Sequence, residues 1–157
     1  MRLFFTLINL LYFYKASGQN LTGKYVDHFG HSLEFAGNNT FKIDWRFDLA
    51  KTWSKGKWRI SNDTVYLKYI NIYDTLSREG KADSLVLSID EKPKSVNEVE
   101  YAIRCMASIT QRADITDKLY YKRGRLFLVD KDGRVSRKKV PGYIRKTKYH
   151  TWYFKKA

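Results

Sequence analysis

The stretch Thr40-Phe41-Lys42-Ile43-Asp44-Trp45-Arg46-Phe47-Asp48 alternates without a break, with Phe41, Ile43, Trp45 and Phe47 on one side and Lys42, Asp44, Arg46 and Asp48 on the other. A period of two sends successive side chains to opposite faces of an extended chain, so this segment reads as a strand with one face buried and the other in water. The rhythm returns in Trp58 and Ile60 against Lys57 and Arg59, and in Leu85, Leu87 and Ile89. Turn chemistry punctuates it at Phe29-Gly30, Gly37-Asn38-Asn39, Lys55-Gly56, Asn62-Asp63, Arg123-Gly124 and Asp132-Gly133. Short aromatic and β-branched runs separated by frequent turns predict an all-β, mainly antiparallel domain, a meander forming a barrel or a sandwich.

Lys118 to Arg123 and Arg125 to Asp130 read as paired strands, and Arg134 begins another that Pro141-Gly142 breaks. Tyr149 to Lys155 carries Trp152 and Phe154 on one face and is placed to close against a first strand from Gly23 to Asp27. Closure would remove the open edges that invite aggregation. The exception is 95–112, where Val99, Ala102, Ile103, Met106 and Ile109 recur at helical spacing. Ser95 with Glu98, just after Pro93, has the form of a capping box. This predicts a short helix near 96–112 packed on the β domain. Tyr101, Ile103, Cys105, Ala107 and Ile109 also alternate, which keeps a strand as the alternative.

The chain opens with the single cation Arg2 and an apolar run from Leu3 to Tyr14 interrupted only by Thr6 and Asn9. That run is shorter than the about 20 residues of a membrane span. Ala16-Ser17-Gly18 follows, with small side chains where a signal peptidase needs them. The expectation is a signal peptide over 1–18, cleavage before Gln19, and one domain over 19–157, large enough to bury its own core. The single cysteine, Cys105, excludes an internal disulfide and reads as a small buried residue. An exported domain of this size without a disulfide reads as bacterial.

Gly23-Lys24-Tyr25 opens the first strand much as the Gly-x-Trp signature opens lipocalins, with tyrosine in place of the usual tryptophan. With its aromatic-rich hairpins the chain resembles the lipocalin-like β domains exported by Gram-negative bacteria, and the segment Phe47 to Trp58 is similar to uncharacterised exported bacterial proteins. The resemblance implies a lipocalin-like barrel that holds an apolar or amphipathic small molecule in its mouth. It implies no catalytic activity and no cofactor.

The formal net charge is +14, of which Arg2 and Lys15 supply two. Residues 20–117 hold 14 cations and 14 carboxylates, so that part is neutral. Residues 118–157 hold 14 cations against only Asp130 and Asp132, so the surplus lies in the C-terminal strands. A one-signed surface concentrates and steers anionic partners. The candidate anion-binding residues are Arg134, Arg137, Lys138, Lys139, Arg145, Lys146 and Lys148, facing anionic glycan or lipid of the cell envelope. The plainer reading is a solvated face that keeps the protein soluble. Nucleic acid would use the same cations with stacking from Tyr143 and Tyr149, and export ranks it last.

The candidate pocket residues are Tyr25, Trp45, Trp58 and Trp152 on the apolar strand faces, with core packing as the competing role. Trp53, between Thr52 and Ser54 beside the expected Lys55-Gly56 turn, is the tryptophan whose burial is least assured. His28 and His31 flank Phe29-Gly30, where a three-residue loop with Gly30 left-handed leaves them not directly opposed. With His150 on the closing strand they make no local metal-ligand spacing. Asp27, Asp44, Asp48 and Asp74 are scattered over strand ends and polar faces, and no phosphate loop or serine elbow is present. The favoured function is non-catalytic binding of a small amphiphile, ahead of an envelope-contact module and of a hydrolase built from distant strands.

Overall fold

The computed structural model describes residues 21–106, 109–111, 116–144 and 146–156. The expected signal segment and the cleavage point before Gln19 lie outside the described residues. Eight strands close into an up-and-down antiparallel barrel: β1 (Gly23–Val26), β2 (His31–Phe35), β3 (Thr40–Phe47), β4 (Ala50–Ser61), β5 (Thr64–Tyr69), β10 (Lys118–Lys122), β11 (Arg125–Leu128) and β14 (Tyr153–Lys155). Of the two architectures expected, the chain adopts the lipocalin-like barrel. β1 and β14 complete the ring with Tyr25 opposite Lys155 and Val26 opposite Phe154. Among the described residues no helix is long and apolar enough to cross a membrane.

The alternation that starts at Thr40 is realised in β3, where Phe41 and Ile43 are buried, Trp45 is half-buried and Phe47 is exposed. Burial thus fades along one face as the strand climbs toward one end of the barrel. The lower interior is solid, filled by Tyr25, Leu33, Phe35, Phe41, Val65 and Leu126, with Leu21 among them. Burial, with Tyr121 beside it, pushes the Tyr25 hydroxyl's pKa above its ordinary value.

Several turns fall where turn residues stand. Asn62 and Asp63 both take left-handed backbone between β4 and β5, as do Arg123 and Gly124 between β10 and β11. Lys55-Gly56 is not a turn. β4 runs through it for 12 residues, pairing first with β3 and then with β5. Gly56 is needed there because a Cβ would lie 2.1 Å from the Lys68 carbonyl oxygen and 2.9 Å from the Phe41 ring. The hairpin turn is Asp48-Leu49, with Phe47 paired to Ala50 and Asp48 at a φ of 53°.

Between β5 and β10 the chain builds a side unit on the outer wall. β6 (Tyr73–Ser77) pairs with β7 (Ser84–Leu87) and with β8 (Ser95–Asn97), α1 spans Glu98–Met106, and β9 (Ile109–Gln111) adds parallel to β4. The unit is fastened by two polar side chains. Trp53 is buried, and its Nε1 donates to the Ile89 carbonyl at 2.7 Å. Gln111 is buried too, accepting from the Ile72 amide at 3.0 Å and donating to the Ile72 carbonyl at 2.9 Å.

The helix begins later than the capping expectation, because Ser95 is spent in β8. Asn97 is the cap, its Oδ1 accepting the Glu100 amide at 2.8 Å, while Glu98 turns to Arg78 at 2.6 Å. The apolar stripe expected to pack inward faces out: Val99, Ile103 and Met106 are exposed, and so is Cys105. α1 is instead held from its other side, where Arg104 reaches Asp90 at 2.9 Å. Leu85 and Leu87 likewise lie on the exposed face of β7, and of that alternating set only Ile89 is buried.

Gly56→Ala is predicted to destabilise the fold by about 1–3 kcal/mol, because the added methyl meets paired backbone. Gly37→Ala, with nothing within 4 Å of its Cβ, should stay within about 0.5 kcal/mol of wild type. Urea midpoints measure both, and equal midpoints would show that β4 does not pass Gly56 as described.

Candidate functional site

The open end of the barrel is shaped by the β1–β2 turn. Asp27 Oδ1 accepts the amides of Phe29 at 2.8 Å and His31 at 2.9 Å, and its Oδ2 holds His31 Nδ1 at 2.8 Å. Gly30 takes a φ of 84°, and a Cβ on it would lie 2.2 Å from the Arg46 carbonyl oxygen, so the three-residue loop has the left-handed glycine expected of it. This short loop can be tight because one carboxylate satisfies two backbone donors and one ring.

Over this end lies a hairpin of β12 (Lys139–Pro141) and β13 (Lys148–His150), paired to each other and not to the barrel sheet. The chain reaches it from β11 through Val129, which bridges Val135, and an Asp130 carboxylate that accepts the amides of Asp132 and Arg134. Arg134 closes this turn, its carbonyl accepting the Asp130 amide at 3.0 Å, and begins no strand. Between hairpin and barrel is a cavity of about 570 Å³. Phe29, Leu128, Val129, Val140, Tyr143 and Tyr153 give it apolar walls, and Asp27, His31, Thr116 and Thr151 give it polar points. Its size falls within the range of small-molecule sites.

The four expected pocket residues do not meet in this cavity. Tyr25 is part of the packed core. Trp45 lies at the same end of the barrel as the cavity, its Nε1 donating to the Phe29 carbonyl at 2.9 Å. Trp58 packs against the lower core and donates to the Ala36 carbonyl. Trp152 is on the outer wall, with the His150 ring stacked on it at 3.7 Å. On the closing strand it is Tyr153, between Trp152 and Phe154, that is buried. Phe29, Leu128, Val140 and Tyr143 carry no distinguishing sequence signal, since they converge only when the hairpin folds over the mouth.

The histidines are likewise separate. His31 is bound to Asp27, His28 packs on Tyr149 and Phe154 at ring distances of 4.7 and 5.3 Å, and His150 lies in β13. Asp74, expected on a polar face, is fully buried and accepts the Lys94 amide at 2.9 Å.

The described members of the basic set, Arg134, Arg137, Lys138, Lys139, Lys146 and Lys148, are all exposed, and none forms an ion pair with a described carboxylate. Arg145 lies outside the described residues. The ion pairs that do form gather in the neutral part of the chain, among them Lys42 with Glu91 and Lys94 with Asp90. Arg137 is set apart from its neighbours, lining an outer cleft with Lys122, Arg123 and Arg125. Lys139 and Lys148 lie in the hairpin strands with Lys138 and Lys146 beside them, and Arg134 lies before the hairpin.

Comparison with protein-family models, curated proteins and solved structures gives no match.

Asp27→Ala removes the acceptor of three hydrogen bonds and is predicted to cost about 1–3 kcal/mol of stability. A thermal melt of the variant alongside wild type measures it. An unchanged melt would mean that this carboxylate does not hold the mouth turn.

Proposed function

We propose that this chain is an exported, non-catalytic binding domain whose ligand is a small amphiphile seated in the barrel mouth. The cavity beneath the β12–β13 hairpin carries the reading, because it joins apolar walls to a few fixed polar groups at the open end of a barrel whose floor is filled. An apolar tail gains by leaving water against Phe29, Leu128 and Val140. A polar head would meet His31, whose Nδ1 is already committed to Asp27, leaving Nε2 as the ring nitrogen available to it. The lipocalin-like resemblance supports the same role by analogy.

A second reading, contact with an anionic glycan or lipid of the envelope, is favoured by the exposed cations of the hairpin that lack described carboxylate partners. The two readings are compatible, since one uses the inner side of the hairpin and the other its solvent side.

Native mass spectrometry of protein isolated gently from its own host tests the first reading. A bound species on the order of a few hundred daltons is expected with wild type. Val140→Trp, which fills the mouth, should lose it. Wild-type protein that emerges empty would contradict the proposal.

A further inference from the structure

The wall that encloses the mouth has a second, outward set of residues. Along β11, Leu126 and Leu128 point inward, so Arg125 and Phe127 point out. On the approach to β14, Thr151 and Tyr153 line the mouth while His150 and Trp152 line the outer cleft. Two sites thus share one wall and no residue.

The outer cleft has a volume of about 520 Å³. At its centre Trp152 is already in contact with protein. The His150 ring lies 3.7 Å away at an interplanar angle of 11°, the Phe127 ring meets it at 5.2 Å and 67°, and the Arg125 guanidinium carbon lies over the indole 5.1 Å from its centroid. The indole is thus in contact with a cation of the same wall.

Lys122, Arg123 and Arg137 bring three further charges to the same cleft. Arg123 sits with Gly124 in the left-handed turn between β10 and β11, which holds it beside Lys122 and Arg125. None of the four cations forms an ion pair with a described carboxylate. Four like charges in one concavity repel each other, and a multiply charged oxyanion between them relieves that repulsion. Guanidinium groups match phosphate or sulfate oxygens in pairs, which ammonium groups do not.

We propose that this cleft binds a phosphate or sulfate group, with Arg125 and Arg137 as its paired guanidinium donors and Lys122 and Arg123 as supporting charges. The proposal narrows the anionic-contact reading to the barrel wall and away from the hairpin lysines. His150 is a built-in reporter. Partial enclosure, then the charges of Lys139 and Arg125 with His28 beyond, hold its pKa below the ordinary value. An anion in the cleft offsets those charges and moves the pKa upward.

The test is titration of the purified chain with pyrophosphate, and separately with phosphatidylglycerol vesicles, at low and at physiological salt. Pyrophosphate is expected to raise the His150 pKa seen by NMR, and added salt to weaken binding. Arg125→Ala with Arg137→Ala should weaken binding about tenfold or more, whereas Lys146→Ala with Lys148→Ala, away from the cleft, should change it less than about threefold. Arg125→Lys with Arg137→Lys keeps the charge and the aliphatic stems, and should still weaken binding several-fold through loss of the paired geometry. Vesicle binding that follows the same order assigns the group to a lipid headgroup. Pyrophosphate binding without vesicle binding assigns it to a soluble anion. Loss in the lysine pair but not in the arginine pair would overturn this site while leaving the hairpin reading standing. No pyrophosphate binding, or equal loss in both pairs, would overturn it as well.

Discussion

Everything in this molecule depends on a short seam between its first and last strands. Among the described residues Tyr25 stands opposite Lys155 and Val26 opposite Phe154, extended by the Lys156 amide donating to the Lys24 carbonyl at 2.8 Å. Those bonds turn an eight-stranded ribbon with two open edges into a ring with none. Closure also defines inside and outside for every strand. Tyr25 and Tyr153 enter the core, and Arg125 and Trp152 are left on the wall.

An eight-stranded ring is narrow enough for side chains to fill, or for one small ligand to occupy. This barrel does both at different heights. Its lower part is packed by large aromatic and aliphatic residues, with Phe35 and Trp58 meeting edge to face at 5.4 Å. Toward the mouth the inward residues become half-buried or polar, and the β12–β13 hairpin spans the opening without entering it. The side unit plays a different part. By seating Trp53 and Gln111 it covers the outer face of β4.

The barrel was legible in the sequence wherever local chemistry decides local structure. The Thr40–Phe47 alternation, the left-handed Asn62-Asp63 and Arg123-Gly124 turns, and the closing partnership of first and last strands all follow from period and turn residues. Legibility failed where a distant neighbour decides. Gly56 looks like a turn residue, but its role is to let the Lys68 carbonyl pass, which only the folded sheet reveals. Leu85, Leu87 and the Val99-Ile103-Met106 stripe have the spacing of buried faces and are exposed, because each element is held from its other side. The candidate sites were least legible of all. Charge counting located the basic region, yet the union of Lys122, Arg123 and Arg125 with Arg137 depends on how the chain after β11 returns along the wall, as the mouth depends on the hairpin.

The barrel is closed between β1 and β14, solid below and open above. Methyl NMR during titration with a twelve-carbon carboxylate reads both halves at once. Shifts confined to the methyls of Leu128, Val129 and Val140, with Leu33, Leu119 and Leu126 unmoved, are the predicted result. Movement of the lower core methyls instead, or of the exposed Leu49 and Leu85 alone, would contradict it.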